Sequence, residues 1–276
     1  MKVTKKSGDV EDYNPDKLCQ SIEVAGAPKH IAEQICTQVG DKLGTQVTTS
    51  KIFRHTVRQL LRDDVDSLAR YSIRRALDDL GPTGFLFEQF VESLLQAYEY
   101  TTERNVIMQG ECVSHEVDVL AHKNNFHYII EAKYHNDHNL KTSIDKVMYA
   151  DARFMDIVRR IEKQKNKETS HYSIWMVTNT KFTQKSIDYA ECRGVKLLGW
   201  NYPEENNLEE MIVRKKMYPI TILPSLTRFA RDQFTDKNMI LAQDILPYSI
   251  EQLGSDFGIN ETLAKKLLQE AQKLLQ

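Results

Sequence analysis

Two strand-like runs joined at Asn124-Asn125 constrain this chain more than any other stretch. The first is Glu116-Val117-Asp118-Val119-Leu120-Ala121, and the second is Phe126-His127-Tyr128-Ile129-Ile130-Glu131-Ala132-Lys133. Asn tolerates the left-handed backbone that a two-residue hairpin turn demands. With Asn124-Asn125 as the turn, Lys123 pairs with Phe126, Asp118 with Glu131, and Glu116 with Lys133. Side chains alternate across a strand, so these four charged groups share one face. Directly opposed residues lie about 4.5–5.5 Å apart at Cβ. On the other face Val117, Val119 and Ala121 lie beside Phe126, Tyr128, Ile130 and Ala132, which reads as core. The same alternation also fits a hairpin whose outer charges are merely solvated, as is usual for antiparallel sheets.

Opposed carboxylates are costly unless a cation neutralises them. Mg²⁺ is hard and takes oxygen ligands, often one or two carboxylates with waters and phosphate. Asp118 and Glu131 are therefore candidate ligands for Mg²⁺ or Mn²⁺. Lys133, two residues on, is placed to orient or help deprotonate a metal-bound water. The pattern suits phosphodiester hydrolysis.

The chain of 276 residues carries a formal net charge of -2, so nucleic-acid binding must rest on a local patch rather than on global charge. One such patch is the helical stretch 141–167, with Lys141, Lys146, Arg153, Arg159, Arg160, Lys163, Lys165 and Lys167 against Asp145, Asp151, Asp156 and Glu162. Its basic excess fits a DNA groove or a solvated helix face. No apolar run approaches the length of a membrane span, and Met1-Lys2-Val3-Thr4-Lys5-Lys6 lacks an apolar signal core, so a cytoplasmic protein without membrane partners is expected. Cys19, Cys36, Cys112 and Cys192 are scattered and read as reduced thiols rather than a disulfide framework or zinc site. His115, His122, His127, His135 and His138 gather near the hairpin and read as structural or surface residues. Trp175 and Trp200 lie in apolar runs and read as core.

The organisation is that of a multidomain α/β chain, divided as 1–81, 82–216 and 217–276. The first segment opens with a short hairpin around Ser7-Gly8, then a helix started by Asn14-Pro15 and three further apolar stripes. Gly81-Pro82-Thr83-Gly84 breaks the chain. Phe85 to Tyr98 is amphipathic, with Phe87, Phe90, Val91, Leu94 and Leu95 on one stripe and Glu88 at its edge. Beyond the charged hairpin come the 141–166 helix, the apolar run Ser173–Thr178, a helix from Ser186 to Arg193 capped by Gly194, and a strand at Val195–Trp200, which makes a mixed α/β sheet. The last segment is broken into short helices by Leu223-Pro224, Leu246-Pro247, Gly254 and Gly258, and its final helix starts at Asn260.

The middle segment, over residues 84–203, resembles the PD-(D/E)xK nuclease superfamily and within it the Mrr-type restriction endonucleases. Phe87-Glu88, Glu116-Val117-Asp118-Val119 and Glu131-Ala132-Lys133 carry the resemblance, and Val177-Thr178-Asn179 with Phe182-Thr183 looks like a downstream Mrr segment. It implies that Asp118 and Glu131 hold divalent metal, that Lys133 acts on the attacking water, and that Glu88 assists. The Mrr pattern commonly has glycines just before the Asp; here Ser114-His115-Glu116 fill that place and Gly110 lies further back.

Residues 1–80 resemble the ATP-cone, a nucleotide-sensing domain. The match is Val3-Thr4-Lys5-Lys6-Ser7-Gly8, Glu11, Asn14, Lys17-Leu18, Thr49 and Arg70-Tyr71. It implies binding of ATP or dATP, with Lys5, Lys6 and Lys17 at phosphates, Glu11 and Asn14 at base or sugar, and Leu18 and Thr49 within the motif. Members usually read Lys-Arg-Asp-Gly where this chain has Lys-Lys-Ser-Gly, which keeps the charge but loses the planar fork of Arg. The run Ile250–Lys266 resembles a helix-hairpin-helix, a device that sets helix amides against DNA phosphate, and it fits a plain packing subdomain as well. Together these imply a Mg²⁺-dependent DNA endonuclease under nucleotide control. It is expected as a homodimer, because cutting both strands takes two sites. The alternative is a catalytically silent regulator that binds DNA in response to ATP or dATP, and RNA or branched DNA are further substrates the same motif serves.

Overall fold

The computed structural model describes residues 1–5, 7–81, 84–137, 140–164 and 171–276. Lys6, Pro82-Thr83, His138, Lys165 and Lys167 lie outside the described residues. The chain divides into two compact units, 1–76 with 218–276, and 77–217. The first and last segments of the sequence therefore share one unit.

In the first unit β1 (Lys2–Thr4) pairs antiparallel with β2 (Val10–Asp12), and parallel with β3 (Gln46–Thr48). Helix α1 (Pro15–Val24) starts where Pro15 sets the first turn and Asn14 Oδ1 accepts from the Lys17 N–H at 3.2 Å. Helix α2 spans Lys29–Lys42, α3 Thr49–Asp63 and α4 Val65–Asp79. The stripe residues Leu18, Ile22, Ile35, Val39, Ile52, Val57 and Leu60 are buried, as their helical spacing requires. One expectation fails here. Cys19 on α1 and Cys36 on α2 are joined as a disulfide, with Cα atoms 5.8 Å apart, whereas Cys112 and Cys192 are free and exposed. Packing of α1 on α2 brings the two thiols together, and no short sequence spacing announces it.

The C-terminal part of this unit has α9 (Arg228–Asp236), α10 (Ile250–Phe257) and α11 (Glu261–Leu275). Gly258 at φ 65 makes the left-handed turn between α10 and α11, and Asn260 caps α11. Ala264, Leu267, Ala271 and Leu274 are the buried stripe of α11. The Lys273 ammonium donates to the Arg62 carbonyl at 2.9 Å, tying α11 to α3.

The second unit is a five-stranded mixed sheet in the order β10-β8-β6-β5-β4. Its elements are α5 (Gly84–Ala97), β4 (Thr101–Gln109), β5 (Ser114–Lys123), β6 (Phe126–Lys133), β7 (Lys141–Thr142), α6 (Ile144–Gln164), β8 (His171–Thr178), β9 (Lys181–Phe182), α7 (Gln184–Arg193), β10 (Lys196–Leu198) and α8 (Leu208–Lys215). Strands β4, β5 and β6 form an antiparallel meander, and β8 and β10 add in parallel after β6. The Asn124-Asn125 turn forms as expected, with Asn124 at φ 56 and Lys123 opposite Phe126.

Both faces of this sheet are covered, which corrects the expectation of a single core face. Leu120, Ile129, Ile174, Met176 and Leu197 form one buried cluster with Val147, Ala150 and Ile157 of α6. Val119, Ala121, Ile130 and Ala132, of opposite parity, are also buried, and α5 supplies Phe87, Phe90, Val91, Leu94 and Leu95. Each Val, Leu, Ile or Phe among these contributes about 1.5–3 kcal/mol by leaving water. Val117 joins the α6 cluster with Leu120, although alternation places it with Val119. The switch falls at Asp118, where Asn105 on β4 takes φ 54 and the ladder skips from Arg104–Val119 to Val106–Val117. Trp200 is buried, but Trp175 is only half-buried, in a ring cluster with Tyr100 and Tyr128 beneath the Lys196 ammonium.

Candidate functional site

The ladder between β5 and β6 ends at Val119–Ile130, so the expected Asp118–Glu131 and Glu116–Lys133 pairs do not form as backbone pairs. Instead the Asp118 carboxylate accepts from the Ala132 N–H at 2.7 Å, taking the place of a ladder carbonyl. Beyond this point the strand pairing of β6 continues with β8, with Glu131 opposite Met176 and Lys133 opposite Thr178. The charged groups thus gather where two strands part.

The gathered groups perturb one another's charge. Burial pushes the Asp118 carboxyl up, against the Ala132 N–H and Arg153. Burial and the nearby Asp118 charge push Glu131 up to about 7, against Arg153 and Lys133. Glu88 on α5 is pushed up by burial and then by Asp118 and Glu116. The structure therefore brings together Glu88, Asp118, Glu131 and Lys133, all four residues expected there. Glu116, expected on the same face, stands exposed at the rim, and Arg153 from α6 joins the cluster. The Arg153 guanidinium donates through Nη1 to Glu131 Oε2 and through Nη2 to the Glu116 carbonyl. Sequence reasoning counted Arg153 among the bases of a helix; its carboxylate partner lies 22 residues away, so spacing could not single it out. Beside the cluster is an open cavity of about 350 Å³ lined by Glu131, Lys133, Asp145, Lys146, Tyr149 and Met176.

The strand end carrying Lys133 is clamped. Asn179, after β8, accepts from the His135 N–H at 2.9 Å and donates to the His135 carbonyl at 2.8 Å and to Asp78 at 3.3 Å. The Tyr134 hydroxyl donates to the Asp78 carbonyl at 3.1 Å, and His135 Nε2 lies 3.1 Å from Thr142 Oγ1. His135 is thus engaged by structural partners. His122 and His127 face each other across the ladder with rings 4.5 Å apart. His115 Nε2 lies 2.8 Å from Asp156, whose carboxylate also accepts from the Cys112 and Val113 N–H groups, so that the β4–β5 turn is pinned to α6.

In residue type, Asp118 and Glu131 suit a hard dication. Asp118 and Glu131 offer carboxylate oxygens, Glu88 stands near, and Mg²⁺ needs only one or two protein carboxylates with water and phosphate completing its shell. Among the described residues, no group of three or more His, Cys, Asp or Glu side chains is placed to hold a metal ion.

In the first unit, Lys5 Nζ lies 2.7 Å from Glu11 Oε2, with both side chains substantially exposed. The Glu11 partner raises the Lys5 ammonium and is itself lowered by it, with Lys17 contributing. Asn14 caps the helix that carries Lys17. Lys5, Glu11, Asn14 and Lys17 thus collect at the start of α1. Leu18 is core, and Thr49 lies on the first turn of α3. A separate surface cavity of about 430 Å³ is lined by Tyr13, Pro15, Cys19, Glu33, Cys36, Thr37, Gly40 and Asp41, none of them an expected nucleotide contact.

Residues 1–80 match the ATP cone domain, and residues 218–275 match the family described as AF1548-like, C-terminal. A relative from Archaeoglobus fulgidus, named "Uncharacterized protein", is 34% identical over 182 residues, covering 66% of this chain and 98% of the relative. The chain belongs to the AF1548-like family. The "Crystal Structure of Protein of Unknown Function AF1548" superposes with a TM-score of 0.57 at 32% identity, covering 70% of this chain and 98% of that one. This AF1548-like protein thus carries an ATP cone at its N-terminus, which points to nucleotide-responsive regulation. Among the described residues, no helix is long and apolar enough to cross a membrane.

Proposed function

We propose that this AF1548-like protein is a Mg²⁺-dependent DNA endonuclease of the PD-(D/E)xK, Mrr-like type, regulated by ATP or dATP at its cone. The observation that carries the reading is the convergence of Glu88, Asp118, Glu131 and Lys133 at the point where β5 and β6 part, with Glu131 pushed up to about 7 by burial and by Asp118. Carboxylates held together against their own repulsion are poised for a cation. Asp118 and Glu131 hold the metal, and Glu88 assists from α5. When bound, the ion supplies a polarised phosphate and a water of lowered pKa. Lys133 orients that water and steadies the charge that develops on the phosphate. The Asn179 clamp on His135 fixes the strand end and with it the reach of Lys133. DNA is the proposed substrate, and a homodimer supplies two sites for two strands.

Nicking of supercoiled plasmid in Mg²⁺ tests the assignment. Wild type should nick, and Lys133→Ala should be slower by about 10²–10³-fold, the range for loss of one group that stabilises transition-state charge. Equal rates would remove Lys133 from the chemistry. One observation favours a second reading, a catalytically silent regulator that binds DNA in response to nucleotide: Glu131 already has a cation partner in Arg153. A gel shift that responds to dATP, with no cutting in Mg²⁺ or Mn²⁺, would select it.

A further inference from the structure

Helix α6 places Tyr149 and Arg153 one turn apart, toward the strand that carries Glu131. The Arg153 guanidinium divides its donors between the Glu131 carboxylate and the Glu116 carbonyl. This is no surface pair, because the Arg153 and Glu131 side chains are only 17% and 21% exposed. Arg is suited to such a place, since its planar fork meets two acceptors at once and it is weakly hydrated. A dication held by Asp118 and Glu131 needs lone pairs of the same Glu131 carboxylate, whose Oε2 Arg153 now engages. It also needs the same negative potential, which Arg153 partly cancels. The two cations therefore compete for one carboxylate.

We infer that Arg153 is the residue that sets metal loading: its guanidinium holds the cation seat on Glu131 and must leave it for the divalent ion to bind. This rests on the nuclease reading of the same cluster. The departing side chain has somewhere to go. The Tyr149 ring, 61% exposed, already lies 5.5 Å from the Arg153 Cζ, and a guanidinium that leaves Glu131 can keep this cation–π contact beside the cavity that Lys133 and Lys146 line. The cost of moving a shielded guanidinium off a shielded carboxylate is charged against metal affinity. The bases of α6 thereby include one that acts on the chemistry rather than on solvent.

The test is calorimetric titration of Mn²⁺ into the full-length protein and its Arg153→Met, Arg153→Lys and Glu131→Gln variants, each checked for folding by circular dichroism. Arg153→Met keeps the packing stem and removes the charge; it should bind Mn²⁺ at least about tenfold more tightly than wild type. Arg153→Lys, which keeps the charge but lacks the fork that spans Glu131 and Glu116, should fall between the two. It decides the matter if the Met variant does not fold. Glu131→Gln should lose binding. Unchanged or weaker binding in the Arg153 variants, with loss in Glu131→Gln, would overturn the role of Arg153 and leave the metal site standing. Absence of Mn²⁺ binding in every form would overturn both.

Discussion

The charges around Asp118 and those around Lys5 are both mixed clusters of acids and bases, yet they sit in opposite electrical regimes. Around Asp118 the side chains are shielded, burial is the first cause of every shift, and carboxylates are pushed up. Around Lys5 the partners are exposed, the salt bridge itself is the first cause, and Glu11 is pushed down. A shielded cluster stores repulsion that a ligand can relieve. An exposed one is already satisfied by its own partner and by water, so what it offers a ligand is access. The ATP cone was recognisable from its sequence motif, whereas the hairpin site is recognisable from its physics.

The largest expected effect falls on the shielded side. Asp118→Asn keeps an acceptor for the Ala132 N–H but loses the proposed metal ligand. Plasmid nicking should fall by about 10³-fold, while the melting temperature at neutral pH holds or rises, because a carboxylate disfavoured by burial is gone. A variant that loses activity only by unfolding would break the comparison.

A smaller effect sharpens it, because one carboxylate of the same unit behaves in the reverse way. His115 and the Cys112 and Val113 N–H groups hold the Asp156 carboxyl well below the usual carboxylate range. A lowered acid contributes stability above its unfolded value of 3.8, and that stability is lost as pH falls toward the folded value. Asp156→Asn should therefore melt below wild type at neutral pH, and the gap should narrow as pH drops beneath 3.8. A gap that widens in acid would mean the shift has the wrong sign.

The smallest effect on stability belongs to the exposed side. Lys5→Ala removes an ion pair whose partners are 45% and 41% exposed, and the melting temperature should hardly move. The heat of ATP or dATP binding to the full-length protein should nonetheless be lost. Retained binding would move the nucleotide site elsewhere in the cone.

How much of this was legible in the sequence depended on the range of the interaction. The turn at Asn124, the cap at Asn14 and the stripes of α1, α3 and α5 are local, and they stand where spacing put them. The gathering of Asp118, Glu131 and Lys133 was also legible, from turn register, and that of Glu88 from the resemblance to the PD-(D/E)xK nucleases. What failed needed tertiary partners. The end of the β5–β6 ladder at Val119 depends on a side chain replacing a carbonyl. The second buried face depends on α6, the Cys19–Cys36 bond on how α1 packs against α2, and the engagement of Glu131 on an arginine from a helix whose basic excess fits a DNA groove or a solvated face.

Anomalous diffraction from a crystal soaked in Mn²⁺ tests the central claim most directly. The account predicts one strong peak per chain between the Asp118 and Glu131 carboxylates, with the Arg153 guanidinium moved off Glu131. A map with no peak there, and Arg153 still bound to Glu131 under saturating Mn²⁺, would contradict it.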